Sequence, residues 1–232
     1  LDAIPASALD NARLLFLNYP NNPTAACAPL SFFERAVTFA RKHGLLIVQD
    51  AAYSEMGFDA PPPSILQIPG AKDVAIELHS LSKTFNMTGW RAAFAVGNAK
   101  AIAALAKVKN NIDSGIFGAV QEAGIAAING IGHSEIAEQI ATYRRRRDIL
   151  VSGLREAGWS VATPQATFYV WVRCPRGLDS MRVASRILAE ANVVVIPGIG
   201  FGSCGEGYIR FALTVPKSRT HEAAQRIEKI AW

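Results

Sequence analysis

The fold is decided by residues 13–50, RLLFLNYPNNPTAACAPLSFFERAVTFARKHGLLIVQD. Its opening apolar run predicts a short buried strand, which ends at a turn rich in asparagine and proline. A helix is then predicted, with Ser31 and Glu34 forming a capping box at its start. We expect Gly44 to end this helix, because glycine readily adopts the left-handed conformation. The apolar run LLIV follows at once, so the segment predicts a strand, a helix and a second strand parallel to the first.

Polar residues follow the ends of these strands and of the next predicted strand. Asn22 follows the first strand, and Asp50 and Tyr53 follow the second. A third predicted strand, residues 74–79, leads directly into Ser80. The carboxyl ends of parallel strands meet at one edge of a sheet, which is where ligands bind in folds of this class. We therefore expect these side chains to lie at a common ligand-binding edge.

The loop after the third strand carries a concentrated set of reactive and polar groups. Residues 79–91 read HSLSKTFNMTGWR and contain Ser80, Ser82, Lys83 and Arg91. Hydroxyl groups and a guanidinium suit the oxygens of a phosphate, and a lysine amine can act as a nucleophile. Taken alone, the pattern Ser-x-Ser-Lys is short and also fits an ordinary solvated loop. The site interpretation depends on the residues at the neighbouring strand ends.

Composition and charge restrict the class of protein. Half of the 232 residues are apolar and 19% are charged, which is typical of a globular chain rather than a disordered one. The net charge is +5, but the basic residues are scattered except for the run Arg144–Arg147. Four consecutive helical residues point around all faces of a helix, so this run predicts a solvated helix surface. We expect no nucleic-acid partner.

Cysteine usage and hydropathy point to a cytoplasmic protein. Three cysteines lie far apart, at positions 27, 174 and 204, without a CxxC pair. This pattern supports neither a disulfide framework nor a metal site, and reduced thiols are typical of the cytoplasm. No apolar run approaches the ~20 residues that a membrane-spanning helix needs. We therefore expect no membrane association and no metal.

The chain is predicted to contain a large and a small domain. Residues 1–132 predict part of a large α/β domain, with a mostly parallel sheet covered by helices on both faces. The strand predicted at 92–96 follows too soon for a helical crossover, so we expect it to be antiparallel. Residues 133–158 predict a bridging helix, and residues 159–232 a smaller α+β domain. Its predicted elements are strands at 168–172, 193–196 and 208–212, and helices at 180–191 and from 218.

Several short motifs occur together and in order along the chain. They are Asn22-Pro23-Thr24, Asp50-Ala51-Ala52-Tyr53, Ser80-Leu81-Ser82-Lys83 with Arg91, and Tyr208-Ile209-Arg210-Phe211. The set resembles the fold-type I, class I/II pyridoxal-phosphate-dependent aminotransferases. Within that family the sequences of these motifs are similar to those of LL-diaminopimelate and aspartate aminotransferase-like members. The resemblance covers essentially the whole chain and implies the fold of that family.

The resemblance implies catalytic roles for Lys83, Asp50 and Tyr53, and a cofactor contact for Asn22. Lys83 would form a Schiff base with pyridoxal 5'-phosphate and then move the proton between substrate and cofactor. Asp50 would keep the pyridine nitrogen protonated, which makes the ring an electron acceptor. Tyr53 and Asn22 would hydrogen-bond the phenolate oxygen of the ring.

The resemblance also implies how phosphate and substrate are held. Arg91, Ser80 and Ser82 would bind the cofactor phosphate, the arginine through charge and the serines through neutral donors. Arg210 would bind the α-carboxylate of the substrate as a bidentate pair, and Asn22 would also contact the substrate. The implied substrates are an L-amino acid and a 2-oxo acid, and the implied assembly is a homodimer.

The resemblance leaves the reaction open in two respects. Family members carry a substantial portion before the segment that corresponds to Leu14, so we expect an incomplete chain with little activity alone. The same motifs occur in other fold-type I enzymes, such as C–S lyases and synthases. They occur also in pyridoxal-phosphate-binding regulatory or non-catalytic domains.

Overall fold

The computed structural model describes all 232 residues, which form two compact units. Unit 1 comprises Leu1–Pro20 and Cys27–Ile136, and unit 2 comprises Asn21–Ala26 and Ala137–Trp232. The asparagine- and proline-rich turn after the first strand therefore belongs to unit 2. No helix of the chain has both the length and the apolar character needed to cross a bilayer.

Unit 1 is built on a four-stranded sheet in the order β1-β2-β3-β4. The strands are β1 (Leu14–Asn18), β2 (Leu46–Asp50), β3 (Ala75–Ser80) and β4 (Ala93–Gly97). The first three strands are parallel, and β4 is antiparallel to β3. The predicted α/β class, the mostly parallel sheet and the antiparallel fourth strand are confirmed.

Five helices accompany this sheet, and α2 supplies much of the core, whereas Leu14 and Phe16 of β1 and Phe94 and Val96 of β4 stay exposed. The helices of unit 1 are α1 (Ala6–Leu9), α2 (Leu30–His43), α3 (Leu81–Thr84), α4 (Ala99–Lys109) and α5 (Gly118–Asn129). Phe33, Val37 and Ala40 of α2 are buried in one cluster with Ile47 of β2. This spacing of apolar residues explains why the segment is helical and which face it buries.

The start and the end of α2 differ in how well the sequence predicts them. Gly44 ends the helix in the left-handed conformation, with φ of 63°, as predicted. The predicted capping box is wrong: the helix begins at Leu30, Pro29 occupies the cap position, and no side chain caps the helix. Ser31 lies inside the first turn, where its hydroxyl is no longer at the cap position.

Unit 2 contains a three-stranded antiparallel sheet in the order β5-β7-β6. Its strands are β5 (Tyr169–Arg173), β6 (Ile196–Pro197) and β7 (Tyr208–Ala212). Its helices are α6 (Ser134–Glu156), α7 (Ser180–Ala191) and α8 (Lys217–Glu228). Helix α6 belongs to this unit from Ala137 on. The smaller α+β architecture is thus confirmed, and α7 and β7 have the predicted bounds.

The predicted strand at 193–196 is wrong for all but its last residue. Asn192 ends α7 in the left-handed conformation, with φ of 52°. The backbone N–H of Val193 then donates to the carbonyl of Ile187, so this residue closes the helix and does not join a sheet. Helix termination takes precedence here over the β-propensity of three consecutive valines.

The arginine run is also less solvated than predicted. Arg147 is 7% exposed. Its Nη1 donates to the carbonyl of Pro164, and its guanidinium pairs with Asp148. Arg146 donates to the carbonyl of Leu213. These two arginines therefore tie α6 to other parts of unit 2 by satisfying backbone carbonyls.

A buried carboxylate fastens the loop before β3 to that strand. Glu77 is 2% exposed, and its Oε1 accepts hydrogen bonds from the Ser64 hydroxyl and the Ile65 N–H, both at 2.8 Å. Its Oε2 lies 3.0 Å from Nε2 of His79. Burial raises the pKa of Glu77, but the hydrogen bonds from His79, Ser64 and Ile65 outweigh burial and lower that pKa below its ordinary value.

The lowered pKa predicts a pH-dependent contribution to stability. We expect Glu77→Gln to reduce the free energy of unfolding by about 1–3 kcal/mol near neutral pH, because buried donors lose a charged acceptor. The deficit should be complete above the ordinary pKa of 4.5 and should shrink as pH falls through the lowered value, where the wild-type carboxylate is protonated. Urea unfolding at several pH values measures it.

The exposed Glu34 of α2 offers a control. Glu34→Gln should have little effect at any pH. A deficit for Glu77→Gln that is the same at pH 3 and pH 7 would rule out a contribution from the ionised carboxylate.

Candidate active site

The register of the parallel strands determines which polar residues are neighbours in unit 1. Asn18 of β1 is opposite Asp50 of β2, and Asp50 is opposite Leu78 of β3. Ser80 lies two residues beyond Leu78, at the end of the same strand. Asp50 and Ser80 therefore lie at the carboxyl ends of adjacent parallel strands.

The end of β2 and the turn that follows it contain a carboxylate, Asp50, and a phenol, Tyr53. Asp50 is partly buried, and its Oδ1 accepts a hydrogen bond of 3.1 Å from the N–H of Ala52. This bond bends the chain immediately after the strand, as is typical of aspartate at a turn. Tyr53 follows and is 4% exposed. The carboxylate is thus fixed to a turn that the sheet supports.

Lys83 lies on α3, a short helix that begins directly after β3. Ser80 occupies the N-cap position, and its Oγ accepts from the N–H of Ser82 at 3.2 Å. Ser82 is buried, and Lys83 is partly buried. The Ser80 hydroxyl accepts in this bond, so its hydrogen can be donated to another group.

Hydrogen bonds close the loop that follows α3. The hydroxyl of Thr88 donates to the carbonyl of Ser82 at 3.1 Å, and Nη1 of Arg91 donates to the carbonyl of Thr88 at 3.0 Å. Arg91 is exposed and takes the left-handed conformation, with φ of 56°. Thr88 thus links Arg91 to Ser82, and the other N–H groups of the guanidinium are available to an anion.

Helix α5 packs against α3 and the loop that follows it. Leu81, Met87 and Ala92 form a buried cluster against which Val120, Ala123 and Ala127 pack. Gly124 permits the approach, because a Cβ there would lie 2.9 Å from Cδ1 of Leu81. The sequence analysis did not identify this glycine, whose only signal is its position within an alanine-rich helix.

The side chains of unit 1 suit pyridoxal phosphate. A guanidinium and two serine hydroxyls are donors for a phosphate, and the fixed Asp50 carboxylate is an acceptor for a protonated ring nitrogen. Lys83 supplies a primary amine. Within the whole chain, His, Cys, Asp and Glu side chains form no group of three that could hold a metal ion.

Arg210 is the central polar residue of the sheet in unit 2. It lies on β7, the middle strand, and its Nη1 donates to Oδ1 of Asn22 at 2.6 Å. Its Cζ lies 4.1 Å from the ring centroid of Tyr169 and 4.8 Å from that of Phe201. Its Nε is buried without a hydrogen-bond partner. A positioned guanidinium with an unsatisfied donor fits an anion such as a carboxylate.

The two aromatic rings beside Arg210 were missed by the sequence analysis, although both lie near glycine- or aromatic-rich motifs. Phe201 belongs to the loop Gly198–Gly205, hereafter the Phe201 loop. Its two ends nearly touch: a Cβ on Gly198 would lie 1.9 Å from the carbonyl oxygen of Gly205. The repeated glycines of GIGFGSCG are the signal that could have indicated this close approach.

The close approach predicts different tolerance at two glycines of one loop. Gly198→Ala should lower the free energy of unfolding by about 1–3 kcal/mol, because the loop ends must separate to admit a methyl group. Gly200→Ala should be tolerated, since the nearest atom to its Cβ would be 4.0 Å away. Denaturant unfolding and near-ultraviolet circular dichroism measure the two effects, and equal stabilities would contradict the prediction.

Comparison with known proteins yields one family. The family model described as "Aminotransferase class I and II" matches residues 1–227. LL-diaminopimelate aminotransferase 2 of Trichormus variabilis is 52% identical over 229 residues, which are 98% of this chain and 58% of the relative. LL-diaminopimelate aminotransferase of Nitratidesulfovibrio vulgaris is 53% identical over 232 residues, which are 99% of this chain and 60% of the relative.

The fold of the chain matches solved aminotransferase structures. A probable N-succinyldiaminopimelate aminotransferase from Thermus thermophilus superposes with a TM-score of 0.92 at 38% identity. The match covers 99% of this chain and 61% of that protein. The chain thus spans about three-fifths of the length of the relatives that it matches.

Proposed function

The chain belongs to the class I and II aminotransferase family, and from that premise we propose that it moves an amino group between an L-amino acid and a 2-oxo acid. The family depends on pyridoxal phosphate. The observation that carries the proposal is the placement of Asp50 and of the Lys83 loop at the ends of adjacent parallel strands.

We propose residues 1–132 as the cofactor-binding part, 133–158 as a bridging helix and 159–232 as the smaller domain.

Each proposed cofactor contact uses a group of matching chemistry. Pyridoxal phosphate supplies an aldehyde that reacts with amines and a protonated ring that accepts electrons. Asp50 would accept from the ring nitrogen, and Tyr53 would donate to the ring oxygen. Asn22 is proposed for the same oxygen through its amide NH₂, because its Oδ1 accepts from Arg210. The phosphate ligands would be Ser80, Ser82 and Arg91.

Lys83 and Arg210 would act directly on the substrate, the first in proton transfer and the second in binding. An uncharged Lys83 amine would take the proton from the substrate α-carbon as a general base and would then deliver it to the cofactor as a general acid. Arg210 would bind the α-carboxylate through Nε and an Nη group, which fixes the α-carbon in place. The buried, unpaired Nε of Arg210 supports this role.

The names of the relatives suggest the substrate. Several relatives at 50–53% identity are LL-diaminopimelate aminotransferases, so we propose LL-diaminopimelate as the amino acid. In the tests below, 2-oxoglutarate serves as the 2-oxo acid. We also propose a homodimer in the cytoplasm, the latter because the three scattered cysteines form no disulfide.

The assignment of Lys83 predicts where the cofactor attaches. Borohydride reduction of the natural protein with pyridoxal phosphate should add the cofactor mass to the peptide that contains Lys83. The variant Lys83→Ala should lose this adduct and the visible absorbance of the bound cofactor, because no amine remains at that place. Lys107→Ala, on the exposed surface of α4, should keep both. An adduct that persists in Lys83→Ala would refute the assignment.

The substrate proposal predicts a preference that steady-state kinetics can measure. With 2-oxoglutarate as acceptor, kcat/KM for LL-diaminopimelate should exceed that for L-aspartate by at least about tenfold if the site hydrogen-bonds the second amino-acid group of diaminopimelate, which aspartate lacks. A preference for aspartate would overturn the substrate and leave the reaction. Turnover without a 2-oxo acid, with release of ammonia or a thiol, would indicate a lyase instead.

A further inference from the structure

A carboxylate and a buried hydroxyl fasten the Phe201 loop to the start of α7. Glu206 accepts hydrogen bonds from the N–H of Ser180 at 2.6 Å, from the Ser180 hydroxyl at 2.9 Å and from the N–H of Gly207 at 2.8 Å. These N–H groups lower the pKa of Glu206 below its ordinary value. Ser180 is 0% exposed, and its Oγ accepts from the N–H of Ile199 at 3.2 Å. We call Ser180 and Glu206 the latch.

The latch holds both ends of the loop. Ile199 lies near the start of the Phe201 loop, and Glu206 follows its last residue directly. Ser180 bonds to both of these points, so the loop is tied to a helix terminus in addition to the contact between Gly198 and Gly205. The position of the loop is therefore set by α7 as well as by its own sequence.

The loop in turn determines where the Phe201 ring lies. The ring centroid is 4.8 Å from Cζ of Arg210 and 5.8 Å from the ring of Trp171, which it meets edge to face. Trp171 stacks on Tyr208, with ring centroids 5.4 Å apart. The ring of Phe201 is thus supported on one side and contacts the guanidinium on another.

An aromatic ring against a guanidinium affects how that group binds an anion. The ring restricts the orientation of the planar guanidinium, so less side-chain freedom is lost when a carboxylate binds. It also removes water from the guanidinium, and ion pairs strengthen when water is excluded. Both effects act on the bound carboxylate and not on the bonds that change in the reaction.

We propose that Phe201 and its latch, Ser180 and Glu206, are positioning residues that set the affinity of Arg210 for substrate carboxylates. This inference rests on the proposed role of Arg210 as the carboxylate ligand. The latch acts through the Phe201 loop, and Phe201 acts through the guanidinium. Because amino acid and 2-oxo acid both present the same α-carboxylate, the effect must be common to the two substrates.

The test compares variants of the natural protein loaded with pyridoxal phosphate. Phe201→Ala, Ser180→Ala and Glu206→Gln each disturb one step of the connection. Glu190→Gln removes an exposed carboxylate from α7 that pairs with an arginine, and Leu188→Ala removes an exposed apolar side chain from α7. These two serve as controls for charge and for apolar truncation. KM and kcat are measured with LL-diaminopimelate, L-aspartate and 2-oxoglutarate, and the dissociation constant of 2-oxoglutarate is measured by calorimetry.

We expect the latch and Phe201 variants to raise KM, and the dissociation constant of 2-oxoglutarate, by about tenfold, with kcat within about threefold of wild type. The increase should be similar for all three substrates, and the controls should match wild type. Amide hydrogen exchange in residues 198–205 should accelerate in Ser180→Ala and Glu206→Gln.

Other outcomes overturn the inference. A change in KM for one amino acid only would place Phe201 against the substrate side chain. Faster exchange of the loop with unchanged KM would leave the latch a purely structural feature. If wild type binds 2-oxoglutarate without transferring an amino group, the proposed reaction fails, and the dissociation constants of the variants still decide the inference. If wild type binds no 2-oxo acid, the role of Arg210 and the inference fail together.

Discussion

Parallel pairing of β2 with β3 is the constraint on which the candidate site depends. It brings the carboxyl ends of both strands to one edge, so that the turn with Asp50 and the loop with Lys83 start from neighbouring positions. An antiparallel β3 would send Lys83 to the opposite edge. The buried carboxylate of Glu77 supports this arrangement, because its hydrogen bonds hold residues 64–65 to β3.

Small residues allow rigid supports to come close to the polar groups that they position. Gly124 lets α5 reach Leu81, which precedes Lys83 by two residues. Gly198 and Gly205 let the Phe201 loop close on itself. In both cases glycines without a functional side chain allow two segments to pack closely together. The polar side chains are therefore positioned by packing, and local hydrogen bonds refine their orientation.

The sequence predicted those features that depend on local pattern. Periodic apolar residues and Gly44 located α2, and the short connection before β4 predicted its antiparallel direction. The capping box failed because one residue of offset moves Ser31 into the helix. The environment of Arg210 was not predictable, since Tyr169, Phe201 and Asn22 come together from distant parts of the chain. Burial of Arg147 likewise depends on a carbonyl seventeen residues away.

The charge of Arg210 is the strongest structural reason to regard it as a ligand-binding group. Arg147, on α6, is paired with Asp148 and donates to a carbonyl, so its charge is used within the fold. Arg210 is held by an amide and two aromatic rings, all of them neutral, and no carboxylate of the chain pairs with it. The carboxylate of Glu206 accepts hydrogen bonds from the N–H groups of Ser180 and Gly207 instead. A partly buried, positioned and unneutralised guanidinium costs stability unless an anion completes it, and a substrate carboxylate would do so.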